Sequence, residues 1–282
     1  MPSFATHHIF AATVQRVTGD TVTHIAEMSS AAYRWGAQGP DPLTLYHMPF
    51  PSPVRRLAKR MYTEPPAPLF EALCEAAVQE HNTAALAYVF GFCTHYALDR
   101  VTHAFICAQA DRLTPYLPGY AAAVRRAQVE SDIDSVMIAG YIAAAPADFE
   151  AYRLLDPNAP ECTVLARVMA RAARTVYGVR LSPAAVYHAL HDMRRVLHLA
   201  HNGSHAKGHL QRFERMVGKA GLASSLIRPA QPHAADCANR ARRPWLSDGV
   251  ERTESFGDLF DAAVPLAVSL QRAVLERYYQ QK

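Results

Sequence analysis

Cysteine is scarce in this chain, and its spacing excludes the common cysteine-based sites. The 282 residues include five cysteines, no two of which form a CxxC pair. An odd number cannot all pair with one another. Three of them lie in apolar, helix-like stretches, where a thiol packs as a small hydrophobe. We therefore expect a reduced, cytoplasmic protein.

The chain also lacks a long uncharged apolar run and any run of like charge. No stretch of about 18 apolar residues is free of charge and histidine, so no transmembrane helix is predicted. Residues 1–8 do not show the basic and then apolar pattern of a signal peptide. The net charge of +4 is spread along the chain, which gives little reason to expect nucleic acid or an anionic membrane surface as a partner. Glycine-rich phosphate loops and nucleophile elbows are missing as well.

What the sequence does have is apolar content with helical periodicity. Half of the residues are hydrophobic, and no segment alternates convincingly as a strand would, so we predict an all-α, single-domain multi-helix bundle over residues 1–282. Asp20 is the expected N-cap of the second helix, and four prolines between residues 40 and 51 argue against a regular helix there. The predicted helices cover residues 6–17, 21–33, 54–61, 68–80, 84–110, 120–144, 162–177, 182–201, 205–219 and 255–279, and residues 227–248 are predicted to form a long ordered loop.

The predicted helix over residues 84–110 carries the most informative pattern. His95, Asp99 and His103 are spaced by four, and since each step overshoots a full turn by only about 40°, the three side chains share one face. An aspartate buried between two imidazoles is costly unless a positive charge compensates it. A divalent metal would do so, and two nitrogens with a carboxylate suit zinc. A core hydrogen-bond trio, in which Asp99 orients one histidine, explains the pattern equally well.

Other segments hold residues that could complete a metal site. A proline-flanked aspartate is usually turn chemistry, so no single one of them is informative. Their joint presence carries more weight, because two or three zinc ions need about eight to ten ligands from several segments. These candidates are His7 or His8, Asp41, His47 and Glu130, which lies one turn before Asp134.

Four motifs together resemble the bacterial zinc-dependent phospholipase C family. They are His95-x3-Asp99-x3-His103, the loop Trp35-Gly-Ala-Gln-Gly-Pro-Asp-Pro42, the Thr6-His7 start and the Glu130-Ser-Asp-Ile-Asp134 block. The chain is most similar to the branch of the family that lacks a secretion signal, and its tail from Asn239 to Phe260 also fits. The family is similar in fold to the single-strand-specific zinc nucleases.

The resemblance implies a trinuclear zinc cluster that hydrolyses a phosphodiester or phospholipid. Metal coordination would lower the pKa of a bound water, and the ions would neutralise the phosphate and the leaving alkoxide. Asp41 would orient or deprotonate that water, unless it is simply a ligand. The implied sites are His47 and His95 with Asp41 close by on one zinc, Asp99 bridging to a second zinc that also takes His7, and His103 with Glu130 on a third.

One position departs from the family pattern. Members carry a histidine four residues before the glutamate, where this chain has Arg126, and arginine has no lone pair for zinc. The third site is then empty, or Arg126 binds the phosphate in the metal's place. We favour two zinc ions with Arg126 assisting. Whether the amino terminus also coordinates, as in secreted relatives, stays open.

Two further histidine patterns are weaker, and one alternative function remains. The run of His198, His201, His205 and His209 is broken by glycines and indicates a solvated turn. The pair His191-Asp192 would need another histidine and aspartate to form an HD-type phosphohydrolase site. The alternative function is a non-catalytic helical binding protein that keeps the fold and at most a structural zinc.

Overall fold

The computed structural model describes residues 4–48, 50–142, 145–146, 148–201 and 236–281. It is predominantly helical, which confirms the predicted all-α class. None of the described helices combines the length and apolarity that crossing a membrane requires. The helices are α1 (Phe4–Val17), α2 (Asp20–Met28), α3 (Ser30–Gly36), α4 (Asp41–Leu45), α5 (Pro53–Thr63), α6 (Ala67–Glu80), α7 (Thr83–Arg112), α8 (Ala122–Met137), α9 (Glu161–Tyr177), α10 (Pro183–His201) and α11 (Phe256–Gln281). A π-helical turn (Ile138–Ile142), a 3-10 turn (Ala151–Arg153) and the strands β1 (Trp245–Ser247) and β2 (Val250–Arg252) complete the described elements.

The described residues fall into two compact units. Unit 1 draws on Met1–Ile9, Leu98–Ala151 and Leu197–Ala263, and unit 2 draws on Phe10–Ala97, Tyr152–Val196 and Val264–Lys282. The boundaries therefore fall within α1, α7, α10 and α11 and within the 3-10 turn. The single domain over residues 1–282 stays a prediction.

Two glycines set the crossing of α3 and α7 in unit 2. A Cβ added at Gly36 would lie 2.1 Å from the carbonyl oxygen of Tyr88, and one added at Gly91 would lie 2.1 Å from the carbonyl oxygen of Tyr33. Only a residue without a Cβ allows two backbones to approach so closely. Gly91 is the one glycine of α7, and this contact accounts for its place in an otherwise apolar run.

A buried amide connects α11 to the rest of unit 2. Gln271 is fully buried, donates to the carbonyl oxygen of Phe90 at 3.1 Å, and accepts from the Thr18 hydroxyl at 2.9 Å. Elsewhere in unit 2, α6 and α3 pack on α9, and α4 packs on α5. The polar atoms of Gln271 are thus paired inside an apolar core, as burial requires.

In unit 1 a buried carboxylate caps the start of α1. Asp134, on α8, accepts hydrogen bonds from the backbone nitrogens of Ala5 at 3.1 Å and Thr6 at 2.9 Å, and from the Thr6 hydroxyl at 2.7 Å. The first backbone N–H groups of a helix lack partners within it, and a negative charge favours that end of the helix dipole. The last residue of the Glu130–Asp134 block therefore has a clear structural role.

The segment before α11 is built around Asn239. This residue is fully buried with a φ of 53°, and its side chain exchanges hydrogen bonds with the backbone of Arg243, donating at 3.0 Å and accepting at 3.0 Å. The antiparallel strands β1 and β2 follow, and Trp245 packs edge-on against Phe105 with ring centroids 5.4 Å apart. The prediction of no strand is wrong here, because three-residue strands are too short to show alternation.

Other expectations about local structure are also wrong. The helix predicted over residues 21–33 is broken at Ser29 into α2 and α3. Gly19, not Asp20, is the N-cap of α2, and no side chain caps this helix. Asp20 is the first helical residue, where its negative charge is stabilised by the positive end of the helix dipole. Within residues 40–51 the short α4 forms, because proline is tolerated in a first turn. The predicted helix over residues 205–219 and loop residues 227–235 lie outside the described residues.

Candidate functional site

Asp41 and His95, two of the predicted ligands, meet at a phenol in unit 2. The Tyr62 hydroxyl donates a hydrogen bond to Asp41 Oδ1. The hydroxyl oxygen of Tyr62 also lies 3.5 Å from His95 Nε2. Asp41 is 1% exposed and His95 is 4% exposed, whereas Tyr62 is half-buried. A carboxylate, an imidazole and a phenol therefore share one point, of which the phenol is the most accessible part.

The turn between α3 and α4 carries Asp41 to His95. Gly39 has a φ of +52°, and a Cβ added there would lie 2.3 Å from His95 Cδ2, so the turn rests directly on the imidazole ring. The Asp41 nitrogen donates to the Gln38 carbonyl oxygen at 3.0 Å, which closes the turn. Since Asp41 is followed by a proline in the first turn of α4, its backbone has little freedom.

Tyr62 is placed by the attachment of α5 to α4. The hydroxyl of Ser52 caps α5 by accepting from the Arg55 nitrogen at 3.2 Å. The Arg55 guanidinium then donates to the Thr44 carbonyl oxygen at 3.0 Å, next to the end of α4. Leu57 and Met61 are buried on the same helix. Sequence reasoning missed Tyr62, because nothing in its spacing distinguishes it from the other tyrosines.

Sequence reasoning also missed Gln38, which lies in the turn between α3 and α4. Gln38 is fully buried, and neither its side-chain nitrogen nor its side-chain oxygen has a hydrogen-bond partner among the described residues. An unpaired buried amide costs about 1–3 kcal/mol for each group. Gln38 therefore introduces this cost into the turn that positions Asp41.

His47, also in unit 2, has different neighbours. It is exposed, its φ is 50°, and its ring stacks on Tyr46 with centroids 4.0 Å apart. Its backbone nitrogen donates to Asp192 Oδ2 at 2.9 Å, so the aspartate of the His191-Asp192 pair fixes this turn. Burial is the main cause that lowers the pKa of His191 below its ordinary value, and the positive charge of Arg195 is the next largest. The shared zinc site of His47 and His95 stays a prediction.

The other predicted site residues all lie in unit 1, which includes α7 from Leu98 onward. His7 is buried on α1, just after the residues that Asp134 caps, and His8 beside it is half-buried. Asp99 is half-buried, and His103 is exposed with its Nε2 3.6 Å from Cys107 Sγ. The expectation of an aspartate enclosed between two buried imidazoles is therefore wrong. Glu130 and Arg126 are half-buried on α8.

In the described part of the chain, no three His, Cys, Asp or Glu side chains are grouped so that they could hold a metal ion. Asp41 and His95, which both lie at the Tyr62 hydroxyl, are suitable zinc ligands by residue type. Carboxylate oxygen and imidazole nitrogen are two of the usual donors to zinc. The seven-residue ligand set stays a prediction. In the histidine run, His198 and His201 end α10, and His205 and His209 lie outside the described residues.

Comparison of the chain with family models, with curated proteins and with solved structures finds no match. The resemblance to zinc-dependent phospholipase C therefore stays a prediction. The geometry at Asp41, Tyr62 and His95 is the firmest basis for a functional hypothesis.

Proposed function

We propose that the protein is a zinc-dependent phosphodiester hydrolase of the phospholipase C type. The observation that supports the proposal best is the meeting of Asp41 and His95 at the Tyr62 hydroxyl. The resemblance implies zinc at His95 with Asp41 close by as ligand or base, and the two residues come from separate helices. Carboxylate oxygen and imidazole nitrogen are two of the usual zinc ligands, and both of these side chains are buried.

The chain's own side chains would then perform the following tasks. Asp41 and His95 would hold zinc, which supplies a water of lowered pKa and a charge opposite the phosphate. Tyr62 fixes Asp41 Oδ1 through its hydroxyl, so the carboxylate is oriented before a substrate arrives. Arg126 would bind phosphate oxygens through its planar guanidinium. Asp41 acts either as a ligand or as the group that orients the attacking water.

The alternative is a non-catalytic helical binding protein. The observation that favours it is that the described residues contain no group of three metal-ligating His, Cys, Asp and Glu side chains. In that case the Asp41–Tyr62–His95 contact is a hydrogen-bonded polar cluster that fixes the packing of α4, α5 and α7.

Metal content and turnover of the full-length chain separate the two functions. For the enzyme, we expect about two or three zinc ions per chain and chelator-sensitive hydrolysis of bis(p-nitrophenyl) phosphate. Asp41→Asn should lower zinc content and reduce hydrolysis at least about 100-fold. The control Asp20→Asn changes an exposed carboxylate at the start of α2 and should change neither. Wild-type protein that binds no zinc and hydrolyses nothing would leave the binding protein as the explanation.

A further inference from the structure

We propose that a surface formed by Phe50, Arg56 and Lys59 binds an anionic phospholipid bilayer. We call it the docking surface, and all three of its residues lie in unit 2. The inference deepens the proposed function and rests on it in one respect, since it names a phospholipid within a bilayer as the substrate. Binding to the bilayer does not itself require hydrolysis, so the two can be tested separately.

The docking surface carries positive charge without compensating carboxylates in the described part of the chain. Between Asp41 and Glu64 the sequence has four Lys and Arg residues and no acidic residue. Arg56 and Lys59 are exposed, and neither forms an ion pair with another described residue. The two flanking acids are already occupied, because Asp41 is buried and Glu64 pairs with Arg60 at 2.6 Å. The charges of Arg56 and Lys59 are therefore available to an anion.

The packing of α5 gathers these charges on its outer face. Leu57, Ala58 and Met61 are buried, so one side of the helix belongs to the core. Arg56 and Lys59 are three residues apart and lie together on the opposite side. The net charge of +4 does not reveal such a surface, because it sums positive and negative charges over the whole chain.

Phe50 places an apolar ring in solvent beside the start of α5. It is 70% exposed. Its nitrogen donates to the His47 carbonyl oxygen at 3.0 Å, and its own carbonyl oxygen accepts from Arg55 Nη1 at 3.0 Å. The backbone is thus held on both sides of a ring that gains nothing from burial. An exposed aromatic ring next to uncompensated cations is the combination that binds the interface of an anionic bilayer.

The apolar ring distinguishes a bilayer from other anionic partners. A nucleic acid or an acidic protein would pair with Arg56 and Lys59, but a bilayer also takes Phe50 out of water at the acyl boundary. The candidate site lies on the same helix. Tyr62, its most accessible part, follows Lys59 by three residues, so the two are neighbours on the helix surface. Docking would bring phospholipid phosphodiesters close to that site.

The experiment is co-sedimentation of the full-length chain with lipid vesicles. Vesicles of equal parts phosphatidylcholine and phosphatidylglycerol should bind more tightly than phosphatidylcholine alone, and added salt should weaken the binding. Arg56→Gln combined with Lys59→Gln should weaken binding to the mixed vesicles about 25-fold, which is about fivefold for each charge. Phe50→Ser should weaken it at least about tenfold. All three side chains are exposed, so the variants should fold as the wild type does.

Two matched controls change exposed residues elsewhere in unit 2. Arg16→Gln combined with Arg272→Gln removes the same number of exposed charges, and Tyr279→Ser removes an aromatic ring that is 58% exposed. Both controls should bind the mixed vesicles as the wild type does. If they lose as much affinity as the docking-surface variants, the attraction belongs to the whole chain and the inference is wrong. Unchanged affinity in the docking-surface variants overturns it as well.

A second measurement tests whether position 50 enters the bilayer. Phe50→Trp should shift its fluorescence emission to shorter wavelength when the mixed vesicles are added, because the indole leaves water. Trp35 and Trp245 are already buried, so they should contribute little to the change. Vesicle binding without the shift overturns the role of Phe50. A single-stranded oligonucleotide that binds through Arg56 and Lys59, when vesicles do not bind, would make a nucleic acid the partner instead.

The docking surface and the hydrolase fail in different ways. A chain that binds the mixed vesicles through the docking surface and hydrolyses no phosphodiester supports the surface and defeats the proposed hydrolase. A chain that hydrolyses bis(p-nitrophenyl) phosphate and does not bind the vesicles supports the hydrolase and overturns the docking surface.

Discussion

A methyl group at position 91 should push α3 away from α7. The Cβ of Gly91→Ala would lie 2.1 Å from the Tyr33 carbonyl oxygen, 2.8 Å from the Ala37 nitrogen and 2.9 Å from the Gly36 Cα. Comfortable contact between heavy atoms begins at about 3.5 Å, so the two backbones must separate by about 1 Å or more. All three obstacles are backbone atoms, and none of them can rotate away as a side chain would.

The expected loss of stability follows from two opposing effects. Overpacking a tight contact costs about 1–3 kcal/mol and occasionally more, and a clash with backbone on the facing helix belongs at the upper end. Replacing glycine by alanine inside a helix returns about 1 kcal/mol. We therefore expect Gly91→Ala to lower the free energy of unfolding by about 2 kcal/mol or more. It should also weaken zinc binding at the proposed site, because the turn at Gly39 would move away from His95.

Urea unfolding followed by circular dichroism measures the effect, and the chain offers a matched control. Gly257 lies in the first turn of α11, and the nearest atom to an added Cβ there is Ser255 Oγ at 3.7 Å. Gly257→Ala should therefore raise stability by up to about 1 kcal/mol. If Gly91→Ala unfolds at the same or a higher urea concentration than the wild type, the close helix crossing is refuted.

Two other predictions follow from buried polar groups. Asp134→Ala should lower the free energy of unfolding by about 2–4 kcal/mol, because α1 loses a buried charged cap, whereas exposed Asp148→Ala should change it by less than about 0.5 kcal/mol; equal stability of the two variants in urea would contradict the capping role. All five cysteines are free, and burial raises the pKa of Cys162 and of Cys237 to about 12. At about pH 8 we expect only the partly exposed Cys107 to react quickly with a thiol reagent, and all five to react after denaturation; rapid modification of several thiols in the folded chain would count against the core.

Hydrophobic periodicity predicted the helices well where a helix is long and packs on one side. The predicted range 162–177 differs by one residue from α9 (Glu161–Tyr177), and the range 182–201 differs by one from α10 (Pro183–His201). The break at Ser29 was missed because neither glycine nor proline marks it. The Ser29 backbone leaves the helical region, with a φ of −131° and a ψ of 52°, where α2 and α3 pack on each other, and periodicity does not describe such packing.

The site was predicted only in part, because periodicity gives the direction of a side chain and not its depth. His95, Asp99 and His103 lie along one line of α7, as the spacing indicated. Their burial falls from almost complete at His95 to exposed at His103, since it depends on which elements cover each turn. Asp41 was singled out by its proline-flanked position and by the family resemblance, and its role as a ligand or base stays a prediction. Tyr62 could not be found, because the contact that gives it a role depends on how α5 attaches to α4.

The geometry of the candidate site depends on glycines, which have no side chain, as much as on Asp41 and His95. Gly36 and Gly91 let α3 meet α7 backbone to backbone, and Gly39 lets the following turn lie on the His95 ring with a positive φ. Together they bring Asp41 to His95. A stretch such as Gly36-Ala-Gln-Gly39 looks from the sequence like a flexible connection, yet each of its glycines occupies a place where a methyl group would collide with backbone or with the imidazole. The turn is rigid for this reason, and rigidity is what a carboxylate needs in order to hold or orient a ligand without further loss of entropy.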